Sequence, residues 1–190
     1  MRLLTLVALL AVPAAASAQD KAYLSISAQG GLMVTYSAFS TRTELGPAFL
    51  LSGFFTGAYR FTPTLAAGGT AGFLFAPIGA RIRNRPPPQD SDTTLGAGAG
   101  IFVGPNLSVF LTDRVVLENA IGWALLGAPG LYGGMGPTFN EALAFRFGGT
   151  DKWKYGFDVR ALLTLPSIWF DSRGFATIFA VTAGFTIALM

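Results

Sequence analysis

The chain has 190 residues, 52% hydrophobic and only 12% charged, with a formal net charge of +3, no cysteine and no histidine. Such apolar content excludes a disordered chain, and the missing Cys and His exclude a disulfide scaffold and any metal site built on those ligands. A soluble domain carries about a quarter charged residues, so half that share implies an apolar surface, and so small a net charge does not point to nucleic acid.

The first segment, MRLLTLVALLAVPAAASAQD, sets Arg2 before an apolar run from Leu3 to Val12 and then reaches the small residues Ala16, Ser17 and Ala18. That is the pattern of a secretory signal peptide with an A-x-A cleavage site, so residues 1–18 are expected to be removed and the exported chain to begin at Gln19. Without cysteine, an exported chain depends on packing and backbone pairing for its stability.

Uncharged stretches at 45–59, 65–80, 95–111, 121–137 and 176–190 fall short of the ~20 residues that a spanning helix needs, and most are crowded with Gly. Their period is two. Phe49, Leu51, Phe55, Tyr59 and Phe61 alternate with Leu50, Ser52, Thr56 and Arg60; Trp153, Tyr155, Phe157 and Val159 alternate with Lys154, Gly156, Asp158 and Arg160. Phe179, Val181, Phe185, Ile187 and Leu189 do the same against Ala180, Thr182, Gly184, Thr186 and Ala188. Large apolar side chains on one face and small or polar ones on the other are the mark of strands that face lipid outside and a lumen inside.

Turn signals place strands at 23–36, 47–61, 65–76, 95–110, 115–126, 138–147, 153–165 and 175–189. Long connections at 37–46 and 77–94 alternate with short ones at 62–64 and 111–114, as in barrels whose inner turns are short and outer loops long. The expected fold is therefore all-β, an eight-stranded antiparallel up-and-down transmembrane barrel over residues 19–190. Charge placement agrees. Most charged residues fall in termini, loops or turns, and Arg60, Glu118, Arg146, Lys154, Asp158 and Arg160 all take the even, inward parity. Glu141 alone takes the outward parity, and is expected either to be turned inward by a bulge within 137–141 or to sit at the rim. Two aromatic bands mark the interfaces: Tyr59, Phe61, Phe145, Phe147, Trp153 and Tyr155 at the turn end, and Tyr36, Phe73, Phe75, Trp123 and Phe175 toward the loops.

These residues resemble the small outer-membrane β-barrels of the OmpA, OmpX and OmpW kind. The turn unit LSVFLTDRVVL at 107–117 looks like the hairpin joining two central strands of such barrels. The final strand TAGFTIALM resembles the insertion signal read by the barrel assembly machinery, with Gly184 followed by Phe185, Ile187 and Leu189, although it ends in Met190 rather than an aromatic residue. The resemblance implies a place in the bacterial outer membrane of a Gram-negative cell, surrounded by lipid and lipopolysaccharide. The enzymes among such barrels rely on histidine, so a histidine-free chain implies no catalysis, and no Walker loop or dinucleotide fingerprint calls for a cofactor.

Arg60, Glu118, Arg146, Lys154, Asp158 and Arg160 form one candidate layer in the turn-side half of the lumen, either as a plug that closes a narrow barrel or as a charge gate across a narrow pore. Beyond it, Met33, Leu50, Phe54, Leu74, Phe102 and Leu162 either fill the lumen or line an apolar chamber for a small hydrophobic ligand, with APGLYGGMGP at 128–137 as its mouth. Arg81, Arg83 and Arg85, spaced two apart, would share one face if the preceding strand ran outward, a candidate contact for lipopolysaccharide phosphates; the alternative is a solvated loop. Asp90 and Asp92 are too few for calcium, and no metal is expected. The reading is a structural or surface-interaction role, with a narrow channel or a carrier of small hydrophobic molecules as the alternative.

Overall fold

In the computed structural model, the residues described are 21–37, 43–45, 48–77, 81–84, 92–94, 98–128, 131–165 and 176–190. The expected signal peptide and Arg85 lie outside them. Eleven strands and no helix occur among these residues: β1 (Ala22–Ser37), β2 (Thr43–Leu45), β3 (Ala48–Arg60), β4 (Leu65–Ala76), β5 (Arg81–Asn84), β6 (Asp92–Thr94), β7 (Gly98–Thr112), β8 (Val115–Ala128), β9 (Leu131–Gly149), β10 (Trp153–Thr164) and β11 (Ala176–Leu189). Eight of them close a barrel in the order β1-β11-β10-β9-β8-β7-β4-β3, and every neighbouring pair is antiparallel. The eight-stranded up-and-down barrel expected from the period of two is the fold.

The period explains the two surfaces. In the barrel strands from β3 onward the even positions face the lumen and the odd positions face out; in β1 the parity is reversed, so Tyr23, Ser25, Ser27 and Gln29 point inward and Ile26, Leu32 and Val34 outward. A closed sheet leaves no unpaired edge, which is what lets strands cross hydrocarbon. The exterior is a coat of exposed Phe, Ile, Leu and Val, as at Phe73, Ile101, Val103, Ile121 and Phe185. Tyr59, Phe61, Phe145, Phe147, Trp153 and Tyr155 stand on this exterior near the short turns, and Phe73, Phe75 and Trp123 stand on it toward the long loops. The side chains of Tyr36 and Phe175 lie outside the described residues.

One device recurs in the three short turns. A threonine hydroxyl accepts backbone N–H groups two or three residues on: Thr62 from Leu65 at 2.9 Å, Thr112 from Arg114 and Val115 at 3.1 and 3.0 Å, and Thr150 from Trp153 at 3.1 Å. Each hydroxyl satisfies donors that the ladder leaves free and holds the tight reversal. The β9–β10 turn also needs Gly149, whose φ of +127° is a conformation that side-chain-bearing residues rarely adopt.

Three expectations are corrected. Arg81 and Arg83 do not extend the preceding barrel strand; β5 is the centre of a separate sheet, β2-β5-β6, in which Arg83 stands opposite Glu44 on one side and Asp92 on the other. The stretch 128–137 is not a wide loop, because β8 runs to Ala128 and β9 starts at Leu131, so most of it is a continued hairpin. Glu141 is neither bulged nor at the rim. It pairs in regular register with Asn119 and Ala161, the eleventh of the 19 residues of β9, and its side chain is exposed on the outer surface.

Candidate functional site: a layered lumen

The lumen is built in three layers. At the turn end, Tyr23, Ala66, Phe110, Val116 and Ala188 form an apolar cluster, joined by Ala58 and Met190. The Tyr23 and Phe110 rings meet edge to face at 5.2 Å, and the Arg60 guanidinium lies 4.3 Å from the Phe110 centroid. In the middle lies a polar layer. Toward the long loops, Leu50, Phe54, Leu74, Phe102 and Leu162 pack with Ala120, Ala124, Ala180 and Met33.

The polar layer centres on Glu118 of β8, whose residue is 2% exposed. Its Oε1 accepts from the Tyr23 hydroxyl at 2.5 Å and from Ser25 Oγ at 2.8 Å. Its Oε2 accepts from Arg160 Nη2 at 3.0 Å and from Thr56 Oγ1 at 3.3 Å. A carboxylate removed from water needs every lone pair occupied and a cation beside it, and four donors from three other strands supply that.

Arg160 in turn reaches three groups. Besides Glu118, it donates through Nη1 to Asn140 Oδ1 at 2.9 Å and lies 3.6 Å from Asp158 Oδ2. Asp158 Oδ2 also accepts from Gln29 Nε2 at 2.5 Å, and Gln29 Oε1 accepts from Thr182 at 2.6 Å and Ser52 at 3.3 Å. Arg146 joins through Tyr23, donating Nη2 to the phenol oxygen at 2.6 Å, and through Met190 Sδ. The Arg160 guanidinium also stands 4.2 Å from the Phe54 centroid, so it ties the polar layer to the apolar one above it.

The register shows how short side chains make this possible. Ala142 lies between Glu118 and Arg160 in the sheet, and its methyl group leaves the guanidinium room to cross. Gly184 lies between Asp158 and Gln29 in the same way, and a Cβ there would stand 2.0 Å from the Ala28 carbonyl oxygen. Inward Gly and Ala are therefore the spacers of the network.

Of the six residues picked out by parity, Glu118, Arg146, Asp158 and Arg160 belong to one connected network. Arg60 and Lys154 do not. Arg60 donates to the Pro63 carbonyl at 2.8 Å in the β3–β4 turn, and among the described residues Lys154 has no ion pair. The network also recruits uncharged residues that a search for charges passes over: Tyr23, Ser25, Gln29, Thr56, Asn140 and Thr182. A signal for three of them stood in the sequence, since Tyr23, Ser25 and Gln29, together with Ser27, alternate with Leu24, Ile26 and Ala28. Asn106 Nδ2, Asn140 Nδ2, Arg146 Nε, Asp158 Oδ1 and Arg160 Nε are buried without a protein partner, so the layer retains hydrogen-bonding capacity for bound water. The side chains of Arg81 and Arg83 lie outside the described residues, as Arg85 does entirely.

A closed eight-stranded barrel with an apolar exterior and an interlocked polar interior defines the class of small transmembrane β-barrels. Its fold is that of the small outer-membrane barrels. The chain is similar to Ail, the attachment invasion locus protein of Yersinia pestis, in complex with the heparin analogue sucrose octasulfate: TM-score 0.50 at 10% identity, over 87% of this chain and 99% of that one. It is similar also to the outer membrane protein OprG from Pseudomonas aeruginosa, with TM-score 0.50 at 7% identity over 89% and 96% of the two chains. No protein-family model and no curated protein matches the sequence.

Proposed function

We propose that the protein is exported by cleavage after Ala18, inserts in the bacterial outer membrane through the barrel assembly machinery, and acts at the cell surface through its outer loops, without catalysis. The observation that carries this reading is the filled lumen. Glu118, Asp158 and Arg160 are each 2% exposed, and Leu50, Phe54, Leu74, Phe102 and Leu162 above them are each at most 4% exposed. With the inside committed to packing, the part left for recognition is what the barrel carries beyond the membrane.

The loops hold a chemical candidate. Arg81, Arg83 and Arg85 supply guanidinium groups suited to sulfate or phosphate, the chemistry of the heparin analogue held by Ail and of lipopolysaccharide. Measuring retention on immobilised heparin and on lipopolysaccharide, for the natural chain and for the triple Arg→Ser variant, tests the reading. Salt-sensitive binding lost in the variant supports it; binding unchanged in the variant overturns the assignment to these residues. Carriage of small hydrophobic molecules is the competing reading, and it requires Phe54 and Phe102, whose ring centroids lie 6.4 Å apart, to part.

A further inference from the structure

Glu141 and Asn119 are direct register partners on β9 and β8, and both face outward. Four residues further out along β9 is Pro137, the partner of Trp123 in the outer aromatic band, and four residues inward is Phe145 of the turn-side band. At ~3.3 Å per residue along a tilted strand, Glu141 lies roughly 10 Å from each band, in the middle of the hydrocarbon. Around the pair stand Ile121, Phe139, Leu143 and Ala161. Among the described residues, the outward-facing cations Lys21, Arg114 and Lys152 are all at the turn end, and neither Glu141 nor Asn119 makes a side-chain hydrogen bond. A polar pair facing lipid at mid-depth costs free energy that a hydrogen-bonding partner recovers.

We propose that this face is an interface between two copies of the chain, in which Asn119 of each copy donates to the Glu141 carboxyl group of the other. Both copies insert with their short turns on the same side, so the two-fold axis that relates them runs along the membrane normal. That operation keeps height and exchanges left for right. Asn119 and Glu141 are neighbours across one strand spacing, about 5 Å with a height difference of only ~3 Å. The rotation therefore sets the donor of one copy against the acceptor of the second, twice, from a single residue pair. A lone cation on a different protein would satisfy Glu141 and leave Asn119 facing lipid, whereas a second copy answers both with the same residue pair. Within lipid, such hydrogen bonds and close packing drive association, and the small Ala161 beside Glu141 permits the approach.

The chain has no cysteine, so Asp113→Cys in the exposed β7–β8 turn gives one labelling site. Donor- and acceptor-labelled copies of the full barrel are mixed in lipid vesicles, and energy transfer is followed as lipid is added. The expected result is transfer above the level of random proximity that declines on dilution. Glu141→Leu and Asn119→Leu should each weaken association by about tenfold, whereas Glu141→Gln, whose amide also pairs with Asn119, should retain it. Folding of each variant is checked by the mobility difference between heated and unheated samples. Transfer at the random level for the natural chain, as expected if lipopolysaccharide or another protein covers Glu141, overturns the proposal. So does association that Glu141→Leu leaves intact.

Discussion

Tyr23 and Glu118 stand on β1 and β8, four strands apart in either direction around the barrel, and a 2.5 Å hydrogen bond joins them across the lumen. The two walls are thereby tied through the interior and not only around the sheet. Arg146, donating to the same phenol oxygen, makes Tyr23 the relay between one cation and the carboxylate that holds another.

Tyr23→Phe keeps the ring against Phe110 but removes the hydroxyl, leaving one Glu118 oxygen short of a donor and Arg146 with Met190 Sδ as its remaining acceptor among the described residues. Loss of about 1–3 kcal/mol is expected, from the cost of stranded buried polar groups. Urea unfolding in lipid vesicles checks it; an unshifted midpoint would show that the bond across the lumen adds nothing to stability.

Glu118→Ala leaves Arg160 buried with Asp158 at 3.6 Å as its nearest carboxylate. Destabilisation of about 3–5 kcal/mol is expected, the scale for stranding one member of a buried ion pair. The double variant Glu118→Leu with Arg160→Leu should recover part of that loss, because the Arg160 charge leaves with its main partner, while Asp158 loses its cation and keeps the Gln29 hydrogen bond. Additive losses in the double-mutant cycle would contradict the coupling.

Conductance separates a plug from a gate. The natural chain in planar bilayers should give no steady current, and Glu118→Ala alone should give none either, because Phe54, Phe102, Leu50, Leu74 and Leu162 still fill the layer above. Adding Phe54→Ala and Phe102→Ala to Glu118→Ala should open discrete conductance steps. Current from the single Glu118→Ala variant would instead identify the charged layer as the gate.

Gly184→Ala tests the spacers. The added methyl would stand 2.0 Å from the Ala28 oxygen and 2.6 Å from the Gln29 Cα, forcing apart the backbones of β1 and β11 beside the Asp158–Gln29 hydrogen bond. The backbone strain should cost about 1–3 kcal/mol, measured by the same unfolding assay. Ala183→Gly, one residue away and facing outward, should cost far less.

The fold was legible because a two-residue period leaves little freedom: shifting a strand by one residue would turn its whole Phe and Ile face into the lumen. That rigidity is also why Glu141 points outward. One carboxyl group does not outweigh the other outward residues of β9, such as Phe139, Leu143, Phe145 and Phe147, and no bulge forms near it. The even-numbered charges of the polar layer could be read from parity, but their pairing could not. Tyr23 and Glu118 are 95 residues apart in sequence, and their meeting depends on which strands closure sets opposite each other. The sheet β2-β5-β6 was hidden for another reason, since strands of three or four residues are too short to show a period. In β9, the glycines of GLYGGMGP suggested a loop where the hairpin continues.

The β1–β11 seam has a consequence for how the molecule is made. β1 finds one neighbour in β3 as soon as the first hairpin forms, but its other edge stays open until β11, the last strand, docks against it in the register Leu24↔Leu189 through Ser37↔Ala176. Until then Gln29 lacks Thr182, and Arg146 lacks Met190. The β1–β11 pairing therefore supplies interior contacts as well as ladder hydrogen bonds, so that a cylinder left open at this seam also has an incomplete polar layer.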